Sequence, residues 1–122
     1  MSTTALILLA LFGIKHFIAD FCLQNEKMVQ EKGIYGKLGG IQHSSIHAIL
    51  TFIVLYGITL EPTVSLILAY IDGILHYHID WTKQQLTRRL TYTDRLWWFY
   101  MGLDQTLHHL TYIGIIWYAT SS

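Results

Sequence analysis

The sequence predicts an all-α fold: an integral-membrane four-helix bundle with a polar His/Asp site in its cytoplasmic half. Three observations carry this reading. Of the 122 residues, 52% are hydrophobic and only 13% charged. Seven of the eight Lys and Arg residues fall in two segments, 24–41 and 82–95, with long apolar stretches around them. Inside those stretches four polar pairs recur at a spacing of four: His16 with Asp20, His43 with His47, His76 with Asp80, and Asp104 with His108. Residues four apart stack on one helix face, and ionisable groups inside a bilayer are costly and usually functional.

The first span covers residues 3–23. Its apolar start carries no Lys or Arg up to Leu11, and no small-residue cleavage site follows. It runs on into Gly13, His16 and Asp20, so it reads as a retained helix and not a signal peptide. The second span covers 42–60. The third starts at Pro62, a good first-turn residue, and covers 62–81. Only Glu61 and Pro62 separate the second and third apolar runs, which makes them a tight antiparallel hairpin. The fourth span covers 96–119. Each is near the length that crosses a hydrocarbon core. The whole chain, 1–122, is one transmembrane domain.

With four spans, both long loops lie on one side. They hold Lys27, Lys32, Lys37, Lys83, Arg88, Arg89 and Arg95, and the opposite hairpin holds no basic residue. By the positive-inside rule both loops are cytoplasmic and both termini face outward, as in a multi-pass protein of a bacterial inner membrane. Trp81, Trp97, Trp98 and Tyr100 fall where an interfacial aromatic belt belongs. The segment KQQLTRRLTYTDR reads either as a short amphipathic helix on the membrane surface or as a plain basic tether.

This topology puts all four pairs at one depth, in the cytoplasmic leaflet. Five His and three Asp exceed what one tetrahedral ion accepts, which points to two divalent transition ions. Mixed imidazole and carboxylate donors suit Zn, Mn, Fe or Ni, and do not favour Cu(I) or an Fe–S cluster. The expected ligands are His16, Asp20, His43, His47, His76, Asp80, Asp104 and His108. Asp72 shares the face of 76 and 80 and stands in reserve. Gln24, Gln105 and Tyr112 lie a turn or less from ligands and could orient them. Lys83 and Lys32 could hold an anionic group. A buried hydrogen-bond network without metal is the plainer reading of the same residues. His78 and His109 are out of register and read as packing histidines. Lys15 points about 100° from His16 and reads as a snorkelling side chain. The lone Cys22 cannot form an intramolecular disulfide and reads as a packed thiol.

The strings HFIADFCLQ (16–24), HSSIH (43–47), HYHIDWTK (76–83) and DQTLHH (104–109) resemble a family of small uncharacterised integral-membrane proteins of bacteria and phages. Its His-x-x-x-Asp-Phe pattern matches His16, Asp20 and Phe21, with Gln24 one position early. Its His, Asp and Lys pattern matches His76, Asp80 and Lys83. Its Asp-Gln-x-x-His pattern matches Asp104, Gln105 and His108. The resemblance implies the fold and the selection of residues, and implies no activity.

Zero formal net charge excludes a global basic field for nucleic acid. Three functions fit the rest. The first is a metal-dependent hydrolase at the cytoplasmic leaflet, acting on a phosphate- or ester-containing lipid or lipid-linked substrate. The second is an ion or metal transporter, against which the apolar outer halves of the spans argue unless a homo-oligomer builds the pore. The third is a small metal-stapled module that binds or inhibits a host membrane protein.

Overall fold

The computed structural model describes residues 2–121, which fold as helices and turns; no strand occurs among the described residues. Helix α1, Thr3–Phe17, starts at Ser2, whose hydroxyl accepts a hydrogen bond from the Ala5 amide. It continues as a π-helical turn, Ile18–Cys22, closed by the Leu23 amide on the Ile18 carbonyl at 2.9 Å. Helix α2, Glu26–Glu31, is capped by the Asn25 side chain on the Met28 amide at 2.8 Å. Helices α3, Leu38–Thr59, α4, Pro62–Thr87, and α5, Arg95–Ala119, complete the chain.

The four long helices form a closed ring. α1 packs on α3, α3 on α4, α4 on α5, and α5 returns to α1; α2 lies against α3. The α3–α4 turn is as tight as its sequence demands. Leu60 takes a left-handed conformation with φ 59°, Glu61 is extended, and Pro62 opens α4. Ser121 borders one groove with Ser2 and another with Thr59 and Glu61, so the chain ends and this hairpin share one end of the bundle.

That end has an ordinary apolar core of Ala5, Leu8, Phe12, Leu55, Leu68, Tyr112, Ile115 and Ile116. The other half is inverted. Its buried residues are Lys15, His16, His43, His47, Asp72, His76, Asp80, Asp104 and His108. The outward faces are apolar on all four long helices: Leu6 and Ile14 on α1, Ile49 and Ile53 on α3, Leu66 and Ile67 on α4, Leu110 and Ile113 on α5. Two stretches, Thr3–Cys22 and Leu38–Thr59, are long and apolar enough to cross a membrane. α4 and α5 fall below that threshold because they carry much of the buried polar set.

Three boundaries differ from the sequence expectation. The first loop is not wholly irregular, since Asn25 starts α2 inside it. α3 begins at Leu38 instead of 42, because Gly39 and Gly40 are packed against α2 and hold helical backbone. α4 runs six residues past 81. α4 is fixed to the first loop by Tyr77 accepting from the Gly36 amide at 2.7 Å and, on the extension itself, by Gln85 donating to the Gly33 carbonyl. The second loop is therefore partly helix α4, followed by turns from Arg88 to Asp94.

Candidate metal centre

Each long helix delivers one pair to the inverted half of the bundle. His16 on α1 and Asp20 in the π turn are in contact, Nε2 to Oδ2 at 3.0 Å. α3 brings His47 Nε2 to 2.8 Å and His43 Nε2 to 3.3 Å from Asp20 Oδ1. α4 brings His76 Nε2 to 3.1 Å from Asp80 Oδ2, and His43 Nε2 lies 3.4 Å from the same oxygen. α5 places His108 Nε2 3.1 Å from Asp80 Oδ1 and 3.5 Å from Asp104 Oδ1. The rings of His47, His76 and His108 stack, with centroids 3.5 Å and 4.0 Å apart in succession. All eight side chains meet in one polar chamber.

Within this chamber six residues fall into two groups whose donor atoms lie within 4.8 Å of one another: Asp20, His43, His47 and His76, and then His76, Asp80 and His108. His16 touches the first group through Asp20, and Asp104 touches the second through His108. The donor chemistry suits a divalent transition ion. The spacing suits one too. Donors about 2.0–2.1 Å from one tetrahedral ion stand about 3.3 Å apart, and those on an octahedral ion about 3 Å apart. The observed separations run from 2.8 to 3.5 Å. Asp80 Oδ2 and Asp104 Oδ1 are buried and accept no hydrogen bond, although imidazole nitrogens stand 3.1 and 3.5 Å away. His43 Nε2 and His76 Nε2 face each other at 3.4 Å. Asp80 Oδ2 and Asp104 Oδ1, this close to nitrogens without hydrogen-bond alignment, are placed as co-ligands are, whereas His76 with His43, His47 with Asp20 and His108 with Asp80 are aligned as hydrogen bonds. His43 Nδ1 and His76 Nδ1 have no partner.

The surrounding polar groups are specific. Tyr112 Oη lies 2.7 Å from His16 Nδ1, and Gln105 Oε1 lies 3.0 Å from His16 Nε2. Gln105 also donates to Asp104 Oδ2 at 3.0 Å. Gln24 donates to the Asp20 carbonyl and accepts from Lys32 Nζ at 3.0 Å. Lys32 Nζ stands 3.7 Å from Asp80 Oδ2, and Lys83 Nζ 4.0 Å from Asp104 Oδ2. Lys83 lies past the 62–81 span; burial and the Lys32 charge hold its ammonium below the usual lysine range, against the pull of Asp104 and Asp80. His78 and His109 are exposed, and His78 pairs with Tyr35 at 2.9 Å. Cys22 is exposed and not packed, because the π turn carries it to the outer face.

Asp72 and Lys15 depart most from expectation. Asp72 points at neither donor group. Its Oδ2 accepts from Lys15 Nζ at 3.1 Å and from the Thr51 hydroxyl at 2.6 Å. Lys15 does not snorkel: it is 2% exposed, stands 2.9 Å from His47 Nδ1, and lies 4.4 Å over the Tyr112 ring. A counter-charge one turn deeper on α4 keeps it inside. Thr51 was missed entirely. Its signal was available, since it sits four residues after His47 on the same face of α3.

The larger grooves, about 370, 430, 470 and 400 Å³, lie between helices at the periphery and are lined by none of the eight donors. Asp20 is the most exposed of the carboxylates in the chamber, with 14% of its side chain accessible. No curated protein and no solved structure matches the chain. One sequence family has a model that matches residues 7–122, and the chain is a member of that family, described as protein of unknown function (DUF3307).

Proposed function

We propose that this chain is a multi-pass membrane protein in which α1, α3, α4 and α5 all cross the bilayer and enclose a dinuclear metal centre in the cytoplasmic half. We read that centre as hydrolytic, acting on a phosphate- or ester-containing substrate at the cytoplasmic leaflet. The observation that carries this is the meeting of five imidazoles and three carboxylates inside a bundle whose outer faces are apolar. Isolated charges in such a place are expensive, and divalent ions keep the carboxylates ionised there.

One imidazole nitrogen serves one ion, so His76 belongs to one of its two groups. Assigned to the second, it leaves Asp20, His43 and His47 for the first ion and His76, Asp80 and His108 for the other. Each set then has three protein ligands, the pattern of catalytic sites that keep a position for water or substrate. Zn, Mn, Fe or Ni would supply Lewis acidity and an activated water there. The chain's own groups do the rest. Tyr112 and Gln105 fix the His16 ring, and Lys32 and Lys83 present cations at the edge. The apolar core beyond Lys15 closes the chamber from the opposite face.

A second reading rests on one feature. Asp20, His43, His47 and His76 form a set of four, enough to saturate a tetrahedral ion. In that case a single ion staples the bundle and catalysis is absent. Metal analysis of detergent-purified protein separates the two. The hydrolase reading expects two ions per chain, with loss of metal in Asp20→Asn and Asp80→Asn and retention in His109→Ala. It also expects metal-dependent release of phosphate or acid from phospholipids or lipid-linked phosphates. A folded protein that takes up no Zn, Mn, Fe or Ni overturns the metal centre. One saturated ion with no turnover overturns the enzyme and leaves the staple.

A further inference from the structure

We propose that the anionic ligand of this centre is a phosphate group, held between Lys32 at the end of α2 and Lys83 on the extension of α4. The proposal rests on the metal-centre reading above and narrows it from phosphate or ester to phosphate.

The first argument is placement. Lys32 and Lys83 arrive from different elements, yet Lys32 is buried and Lys83 half-buried, with 9% and 11% of their side chains exposed. Lysine side chains at a cytoplasmic membrane surface ordinarily extend into water. Here two like charges are held against the carboxylates of the chamber, Lys32 beside Asp80 and Lys83 beside Asp104. The fold works to keep Lys32 there. A Cβ on Gly40 would meet Lys32 Cα at 2.9 Å, so only glycine lets the start of α3 approach the end of α2 this closely. Gln24 then takes Lys32 Nζ at 3.0 Å and aims it inward.

The second argument is that neither ammonium is hydrogen-bonded to a carboxylate. The carboxylate oxygens lie 3.7 Å from Lys32 Nζ and 4.0 Å from Lys83 Nζ, beyond hydrogen-bond range. Each keeps donors for a further acceptor.

The third argument is charge. Asp20, Asp80 and Asp104 against Lys32 and Lys83 leave one negative charge, and Lys15 with Asp72 cancel. Two divalent ions turn this into three positive charges in a poorly solvated chamber. A neutral ester relieves none of that before reaction. A phosphate with about two negative charges near neutral pH relieves most of it, and offers oxygens to both ions and both lysines at once.

The test uses full-length protein loaded with zinc or manganese in detergent, with inorganic phosphate as the probe in calorimetry. Wild type is expected to bind phosphate. Lys32→Gln and Lys83→Gln are expected to keep their metal and weaken phosphate binding about tenfold or more each. Lys32→Arg, Lys83→Arg and the exposed-residue control Arg89→Gln are expected to stay within a few-fold of wild type. An independent measurement needs no variant: manganese-loaded wild type is expected to enhance phosphorus relaxation of inorganic phosphate. Nanodiscs of phosphatidylcholine with and without phosphatidic acid identify the source. Competition by phosphatidic acid indicates a lipid headgroup, its absence a soluble phosphate, and both outcomes support the proposal. Metal-loaded wild type that neither binds phosphate nor enhances its relaxation overturns it while the metal centre stands. Equal binding by the Gln variants also overturns it. Protein without metal removes the centre and this proposal together.

Discussion

Lys15 shows how one residue sets the terms of the chamber. Its ammonium is surrounded by Asp72, His47 and the Tyr112 ring, with water almost excluded. Removing one partner of such a pair strands the other charge, at a cost on the order of 3–5 kcal/mol. Lys15→Met is therefore expected to unfold at much lower denaturant or temperature than wild type. Lys15→Met combined with Asp72→Asn is expected to recover most of the loss, measured by thermal unfolding in detergent. An additive double variant, no better than the single, would show that Asp72 is not the partner that matters. The meeting of the eight side chains was readable in sequence because spacing by four places each pair on one face. The role of Lys15 was not, because an angular argument within α1 says nothing of a counter-charge arriving from α4. Asp72 was assigned to the ligand face for the mirror-image reason. Its helix face was correct, but its carboxylate is engaged one turn away from the donors.

At the scale of elements, the pieces that sequence periodicity misses are the ones that finish the site. The long apolar helices announce themselves, whereas α2 has six residues and no apolar stripe to read. What it does have is a start signal, Asn25, and a pair of glycines in α3 that let it dock. The π turn at Ile18–Cys22 is equally silent in sequence, and it is the element that carries Asp20. These features give a contrast between two glycines. Gly40→Ala puts a methyl 2.9 Å from Lys32 backbone, which must move, at about 1–3 kcal/mol. Gly102→Ala sits in α5 with nothing within 4 Å of the added atom, and is expected to be neutral or to stabilise by up to about 1 kcal/mol. Thermal unfolding ranks the two. If Gly40→Ala is as stable as Gly102→Ala, the close docking of α2 on α3 is not what holds Lys32 in place.

For the whole molecule, the governing fact is inversion. In water, a bundle with histidines, aspartates and a lysine inside and Leu, Ile and Phe outside would bury its most soluble groups and aggregate through the rest. In a bilayer the same distribution is favourable, since apolar faces meet lipid and every charge finds a partner within. This is the argument for four spans, although only Thr3–Cys22 and Leu38–Thr59 pass on apolarity alone. In α4 and α5 part of what lowers apolarity is turned inward: Asp72, His76 and Asp80, then Asp104 and His108. A sequence scale counts these against insertion because it cannot see which way they face. The topology we propose rests on charge and on the shared end of the bundle. The hairpin at Leu60–Pro62 and the chain ends lie together, and seven of eight basic residues lie toward the other end. Alkaline phosphatase fused to the C-terminus is expected to be active and a green fluorescent protein fusion there dark, because the former needs the periplasm and the latter folds poorly in it. Fusions within the 88–94 turn are expected to reverse both signals. If α4 and α5 lay outside the membrane, the C-terminal and 88–94 fusions would report the same side. The chamber would then face water on one flank, and Asp104 and His108 would be reachable by aqueous reagents that leave a membrane-embedded histidine unmodified.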